Sequence, residues 1–254
     1  MAELRSDALV LRSRDWREAD RLVTLLTRDA GKVTVLARGV KKNKSKFAAL
    51  VEPLTLGRYL MHRGKSMETL IQGEIIKPYF SLHQDLLHYA TAQYFCELVE
   101  RSLPQNEPAG AVFTLLVAAL EILEKDANPA RVARCFELSL LDELGFCPAL
   151  DGCFCCGQQI SPAYFDFTHG ATVCSQCPRS HDSILISGAA VAVMKRFLKQ
   201  GFHRLSICSV SATVNTEIGR VCAGAFRTSL GLTEIKSRVF LASVEKVETV
   251  RLTI

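Results

Sequence analysis

Hydrophobic and polar residues follow two patterns along the chain, and the pattern changes near residue 78. Before that point, apolar and β-branched residues come in short runs separated by turn residues such as Asp29-Ala30-Gly31. This pattern is typical of β-strands joined by tight turns. It predicts five strands, at residues 8–12, 21–27, 32–37, 54–61 and 67–72. Five strands in one short region predict a small closed barrel, of the OB or the SH3-like type.

After Pro78, apolar residues recur every three to four positions, which predicts helices. The first predicted helix ends before Pro104, and its apolar face consists of Leu82, Leu86, Ala90, Tyr94 and Leu98. Residues 111–123 are apolar on nearly every side, as in a central bundle helix. Capping residues predict three more helices, at 128–145, 187–200 and 213–230. The last ten residues alternate in polarity, which predicts a final strand or an ordered tail.

The cysteines add candidate chemistry to this pattern. Two C-x-x-C pairs, separated by 17 residues, lie between the third and fourth predicted helices, and they consist of Cys153, Cys156, Cys174 and Cys177. Such pairs predict a four-thiolate zinc site, which is structural because four protein ligands leave no open position. Cys155 could pair with Cys153 instead, but this C-x-C turn would be tighter than the usual C-x-x-C turn. His169 and His181 could replace a thiolate, but they lie outside the paired spacing. The other interpretation is that these are reduced structural thiols.

Other parts of the sequence support this interpretation of the cysteines. Residues 164–167 and 171–173 can form a short hairpin that joins the two C-x-x-C pairs. Three further cysteines lie in apolar helical patterns, where a small buried hydrophobic residue is expected. They are Cys96, Cys135 and Cys222.

Charge is unevenly distributed along the chain. The 254 residues carry a net charge of +5, yet residues 1–80 hold 16 Lys and Arg against 9 Asp and Glu, and the rest hold 15 against 17. The densest cationic segment contains Arg38, Lys41, Lys42, Lys44 and Lys46. Such a segment predicts an exposed loop that contacts a polyanion such as nucleic acid, although a solvated loop is the alternative. Four more cations are expected near it: Arg14, Arg17, Arg63 and Lys65.

Composition and motifs exclude several classes of protein. With 48% hydrophobic and 22% charged residues, the chain is expected to be globular. It has no apolar run of about 20 residues and no secretion signal, so neither a membrane span nor export is expected. It also lacks the G-x-S-x-G, phosphate-loop and H-E-x-x-H motifs, so we expect no enzyme. The alternatives are a zinc-dependent nuclease or deaminase, which would need an open metal position, and a structural hub for partner proteins.

Several segments together resemble one known family. They are residues 8–11, 18–27, 31–33, 37–42, 45–53, 141–146 and 236–241, with Cys153-x-x-Cys156-Gly157 between the last two. In this order they resemble the RecO family of bacterial recombination mediators, over roughly residues 5–244.

The resemblance implies a function in DNA repair by the RecF pathway. Such proteins bind single- and double-stranded DNA, anneal complementary strands, and work with RecR to load RecA onto strands coated by SSB. The acidic, hydrophobic C-terminal tail of SSB would need an apolar groove beside cations. A candidate surface lies near Phe197 and Leu198, where the cations are Lys195, Arg196, Lys199 and Arg204. The alternative is that these residues form a solvated helix face. The resemblance also implies a cytoplasmic, nucleoid-associated bacterial protein.

The expected fold class is therefore α+β with several domains. We predict an N-terminal OB-fold β-barrel at residues 1–80 that binds DNA, and an all-helical domain at 81–148 and 184–244. The zinc-binding insertion with its four cysteines is predicted at 149–183, and a C-terminal tail at 245–254.

Overall fold

The computed structural model of the protein describes residues 3–42, 45–64, 67–160 and 162–251. Five strands at its N-terminus close a barrel, and they are β1 (Glu3–Trp16), β2 (Asp20–Thr27), β3 (Gly31–Ala37), β4 (Leu56–His62) and β5 (Glu68–Lys77). Their order around the barrel is β1-β2-β3-β5-β4. Antiparallel pairing of β1 with β4 closes it, and β3 pairs with β5 in parallel. The predicted OB-type barrel is confirmed.

Alternate side chains of each strand point inward and fill the barrel interior. Ala8 and Val10 of β1 lie in one buried cluster with Val33 and Val35 of β3 and with residues of the other strands. Leu9, on the opposite face of β1, is also fully buried. It is buried because the first two helices, α1 (Leu86–Ser102) and α2 (Gly110–Leu123), pack against β1. The outer face of the barrel is therefore apolar where the helices cover it.

Four more helices follow along the chain: α3 (Pro129–Glu143), α4 (Gly188–Gln200), α5 (Ala212–Leu230) and α6 (Lys236–Arg251). The predicted caps are present, since the Asn128 side chain accepts from the Arg131 N–H and the Ser187 side chain from the Ala190 N–H. Among the described residues, no helix combines the length and the apolar character that crossing a membrane requires.

A small sheet lies between α3 and α4. Its strands are β6 (Ala163–Asp166), β7 (Ala171–Val173) and β8 (Ser183–Ile186), in the order β7-β6-β8. β6 and β7 form the predicted hairpin, which is confirmed. β8 is an additional strand that pairs antiparallel with β6.

The chain forms two compact units. Unit 1 comprises residues 1–124 and 235–254, with the barrel, α1, α2 and α6. Unit 2 comprises residues 125–234, with α3, α4, α5 and the small sheet. The predicted domain limits at 80, 148, 183 and 244 stay a prediction.

The prediction of a C-terminal strand is wrong for the described residues. Residues up to 251 belong to α6, which packs on α1. Leu241 and Val244 are both buried at a spacing of three residues, which is a helical spacing. The polar alternation at the end of the sequence is too short to outweigh this packing.

A prediction concerns Gly31, at the start of β3. Its φ is +67°, and a Cβ there would lie 1.7 Å from the backbone oxygen of Glu107. Because both the backbone and the neighbouring chain would have to shift, Gly31→Ala should lower the free energy of unfolding by about 2–4 kcal/mol. Urea denaturation measures this change.

Gly39 provides the matched control in the same unit. It has the same φ of +67°, but the nearest atom to its Cβ position is the flexible Lys42 side chain, at 3.6 Å. Gly39→Ala should therefore cost only the backbone strain, about 1 kcal/mol. Equal losses for the two variants would contradict the proposed role of the Glu107 contact.

Candidate functional site

Four cysteines form a compact group in unit 2. The sulfur atoms of Cys153, Cys156, Cys174 and Cys177 all lie within 4.8 Å of one another. Cys153 and Cys174 are buried, whereas Cys156 is exposed. Four thiolates at this separation can surround one ion as a tetrahedron. The structure thus brings together the residues of both C-x-x-C pairs, and the group can hold a metal ion.

Backbone hydrogen bonds shape the two cysteine turns. The Gly157 N–H donates to the Cys153 carbonyl at 2.8 Å, and Gly157 has a φ of +73° that favours glycine. Cys174 directly follows β7, and its N–H donates to the Cys153 sulfur at 3.3 Å. This hydrogen bond is the main cause that lowers the pKa of Cys153 to about 6. The turn therefore favours the thiolate, which is the form that binds metals.

Asp166 fixes the segment that follows the second pair. It is fully buried at the end of β6 and accepts hydrogen bonds from the backbone of Thr168 at 2.9 Å and of Ser180 at 2.6 Å. Burial alone would raise the pKa of Asp166, but the hydrogen bonds from Ser180, His169 and Thr168 lower it. Asp166 thus joins the hairpin turn to the chain just after Cys177. The sequence pattern alone gives no sign of this role.

The alternative ligands lie outside the cysteine group. Cys155 is exposed, with its sulfur 3.8 Å from the Pro178 carbonyl oxygen. His169 Nδ1 lies 3.3 Å from Asp166 Oδ1, and His181 is exposed. The three cysteines predicted to pack in helices are buried, which confirms that prediction; they are Cys96, Cys135 and Cys222.

The cationic segment lies between β3 and a short 3-10 turn at Ala49–Val51, and we call residues 38–46 the basic loop. Arg38, Lys42 and Lys46 are exposed and form no ion pair with any described residue. Lys41 differs, because its ammonium lies 2.5 Å from Asp15 Oδ2. The hydrogen bond from Lys41 lowers the pKa of Asp15. Lys44 lies outside the described residues.

The basic loop is held to the barrel at both ends. The Gly39 N–H donates to Asp20 Oδ1 at 2.8 Å, and the Lys41 N–H donates to the Ala19 carbonyl at 3.1 Å. Phe47 packs against the barrel core, and Lys46 Nζ lies 5.4 Å from the centre of its ring. Phe47 is therefore an anchor for the loop. Arg38 and Lys42 are thus next to backbone groups, those of Gly39 and Lys41, that hydrogen bonds hold to the barrel.

The neighbouring cations divide into two groups. Arg14 and Arg17 are exposed at the end of β1 and in the turn that binds the basic loop. Arg63 instead lines a separate cavity of about 340 Å³, together with Gln105. Its Nε lies 3.8 Å from Glu68 Oε1. Lys65 lies outside the described residues.

Few aromatic rings are exposed on the barrel beside these cations. Tyr59 is fully buried, and its hydroxyl donates to the Leu50 carbonyl at 2.8 Å. Trp16 is 38% exposed. The barrel therefore offers mainly charge rather than stacking surfaces to a nucleic acid.

The cationic surface predicted for a peptide tail lies on and just after α4. Phe197 is buried in unit 2 and Leu198 is partly buried. Lys195 lies 2.7 Å from Asp151, and Arg196 Nε donates to Gln200 at 3.3 Å. Lys199 and Arg204 are exposed. One of the two apolar residues, Phe197, is thus part of the core. Whether the surface binds the SSB tail or is a solvated helix face stays open, and its partner stays a prediction.

Two family models match the chain. One, described as Recombination protein O N terminal, matches residues 1–79, which contain the barrel and the basic loop. The other, described as Recombination protein O C terminal, matches residues 83–239, which contain the four cysteines. The chain belongs to the RecO family. This membership supports a function in DNA repair and recombination.

Individual members of the RecO family match along most of the chain, and each is named DNA repair protein RecO. The protein of Symbiobacterium thermophilum is 35% identical over 95% of this chain and 97% of its own length. That of Bacillus pumilus is 30% identical over 96% of both chains. That of Heliobacterium modesticaldum is 37% identical over 77% of this chain and 73% of its own.

A prediction separates the four grouped cysteines from Cys155. Cys174→Ser should abolish metal binding by the group, because a neutral hydroxyl replaces one of the four thiolates that can hold the ion. Cys155→Ser is the matched control, and it should keep the metal content of the wild-type protein. Elemental analysis of the purified proteins measures both. The Cys155 variant could lose the metal, or the Cys174 variant could retain it. Either result would contradict the assignment of Cys174, rather than Cys155, as a ligand.

Proposed function

We propose that the protein is a recombination mediator of the RecF pathway in the bacterial cytoplasm. In this proposal it binds single- and double-stranded DNA, anneals complementary strands, and with RecR helps to load RecA onto DNA coated by SSB. The observation that carries the proposal is the set of exposed cations on the barrel of a RecO family member that form no ion pair with any described residue, namely Arg38, Lys42 and Lys46. RecR and the C-terminal tail of SSB are its proposed protein partners.

The physical basis of the proposal is neutralisation of phosphate charge. Two strands repel each other, and a cationic surface that contacts both lowers this repulsion and releases condensed counterions. Contacts from Arg38, Lys42 and Lys46 to phosphates carry no base information, so binding tolerates any sequence. No bond is made or broken in this process.

We further propose that the metal is one Zn²⁺ with a structural role. Four thiolates are the ligand set that zinc prefers in structural sites. With Cys153, Cys156, Cys174 and Cys177 all bound, the ion would keep no position for water or substrate. Zinc would stabilise the two cysteine turns, whose connecting hairpin is short. The competing function, a zinc-dependent nuclease or deaminase, requires such an open position.

A prediction follows for the basic loop. Replacing Lys42 with Gln should reduce the slope of log affinity for single-stranded DNA against log salt by about 0.7, because one phosphate contact is lost. Lys41→Gln should reduce it less, since Asp15 already neutralises Lys41. Fluorescence anisotropy across a salt series measures the slopes.

Arg220→Gln is the control for net charge, because Arg220 is an exposed cation on α5, in unit 2. It should leave the slope unchanged. Equal slopes for the wild-type protein and the Lys42 variant would remove the basic loop from the DNA interface.

The partner proteins are tested by annealing on coated strands. Complementary oligonucleotides coated with SSB should anneal faster in the presence of the protein, and addition of RecR should alter this rate. Gel analysis of the same reactions should show full-length strands. Shortened strands would favour the nuclease, and an unchanged annealing rate would leave a structural hub as the better account.

A further inference from the structure

A polar cavity of about 530 Å³ lies within unit 1, among β1, β3, α1 and the start of α6. Its lining includes four cationic side chains and two carboxylates: Arg12, Lys32, Arg101, Lys236, Glu97 and Glu100. We call it the Lys32 cavity. Cations outnumber carboxylates in it, and the residues come from four separate parts of the sequence.

The two carboxylates already have partners. Glu97 accepts hydrogen bonds from the backbone N–H groups of Lys236, at 3.1 Å, and Ser237, at 2.7 Å. It therefore neutralises the N-terminus of α6. Against the effect of burial, these hydrogen bonds lower the pKa of Glu97. Glu100 lies 3.7 Å from the Arg12 guanidinium. Both carboxylates therefore already interact with groups of the protein, and the four cations of the lining still outnumber them by two.

Lys32 is the most buried of the four cations. Its residue is only 9% exposed, and its ammonium donates to the backbone carbonyl of Glu100 at 2.5 Å. An ammonium has three N–H donors, and this carbonyl is its one hydrogen-bond acceptor among the described residues. Burial lowers the pKa of Lys32, and Glu100 only partly opposes that effect. The buried charge is therefore incompletely compensated.

Gln93 adds a second donor to the same cavity. Its side-chain nitrogen Nε2 is buried and has no hydrogen-bond partner among the described residues. Buried donors of this kind are normally paired. The lining thus combines excess positive charge with unpaired N–H groups, and both features favour an anion that carries several acceptor oxygens.

We propose that the Lys32 cavity binds a phosphate oxyanion. The inference rests on the proposed function, in which the natural source is the backbone of a DNA strand; free phosphate is the other source of the same chemistry. Lys32 and Gln93 donate from inside, and Arg12 and Arg101 contact the anion at the exposed mouth.

The position of the Lys32 cavity separates it from the basic loop. Lys32 is near the first residue of β3, whereas Arg38 directly follows the last, so the two sites are roughly 20 Å apart along the strand. A protein that anneals DNA must contact two strands at once. A second phosphate site at this distance gives unit 1 two separate contacts.

The test uses the full chain and two probes, inorganic phosphate and a short oligothymidylate. The variant Arg12→Gln/Arg101→Gln changes only exposed side chains, so it should fold, and Lys32→Met removes the buried ammonium while keeping its aliphatic stem. Circular dichroism checks the fold of each. Arg220→Gln controls for the change in net charge.

In the first arm, phosphate should raise the Tm of the wild-type protein at constant ionic strength, and this shift should disappear in both variants. In the second arm, the slope of log affinity for oligothymidylate against log salt should fall by about 0.7 for each lost contact. A fall in slope identifies the DNA backbone as the source. A phosphate shift with unchanged slopes identifies free phosphate.

The proposal is overturned if the folded variants match the wild-type protein in both arms. It is also overturned if Arg220→Gln reduces the phosphate-induced Tm shift and the salt slope as much as the cavity variants do. If the wild-type protein showed no salt-dependent affinity for oligothymidylate, the proposed function would fail, and the phosphate arm would still decide about the cavity.

Discussion

Closure of the five-stranded barrel is the constraint on which unit 1 depends. Once β1 pairs with both β2 and β4, alternate side chains of every strand must point inward. Val10 and Val35 then fill the interior, and Leu9 needs cover from outside, which α1 and α2 supply. The strand ends remain for other uses. One end of β3 carries the basic loop, and Lys32 near the other end lines a polar cavity.

The cysteine group of unit 2 would depend on a different interaction, the binding of a metal ion by thiolates. The buried cluster around the cysteines is small, since it consists of Cys153, Val173 and Cys174. A metal bound by four thiolates would therefore add stability there. Asp166 adds to it by holding the chain after Cys177. In the basic loop, by contrast, hydrogen bonds from Gly39 and Lys41 fix the backbone, while Arg38 and Lys42 stay exposed. The cysteine group would thus stabilise its segment, whereas the basic loop presents positive charge.

Much of this architecture could be predicted from the sequence because its signals are local. Alternation identifies the strands, Asn128-Pro129 and Ser187 identify two helix starts, and the C-x-x-C spacing identifies the grouped cysteines. Features that depend on distant packing could not be predicted. α6 forms because Leu241 and Val244 are buried at helical spacing, in the element that packs on α1, although the last residues alternate like a strand. The Asp15–Lys41 pair and the Lys32 cavity join residues far apart in the sequence.

In the proposed function, the protein works by offsetting phosphate repulsion and transforms no substrate. The most direct measurement is the annealing rate of bare complementary oligonucleotides with the wild-type protein, over a range of salt concentrations, with strand length checked at the end. The account predicts faster annealing at low salt, an effect that falls steeply as salt rises, and intact strands. Acceleration that does not depend on salt, no acceleration in dilute buffer, or hydrolysed strands would contradict it.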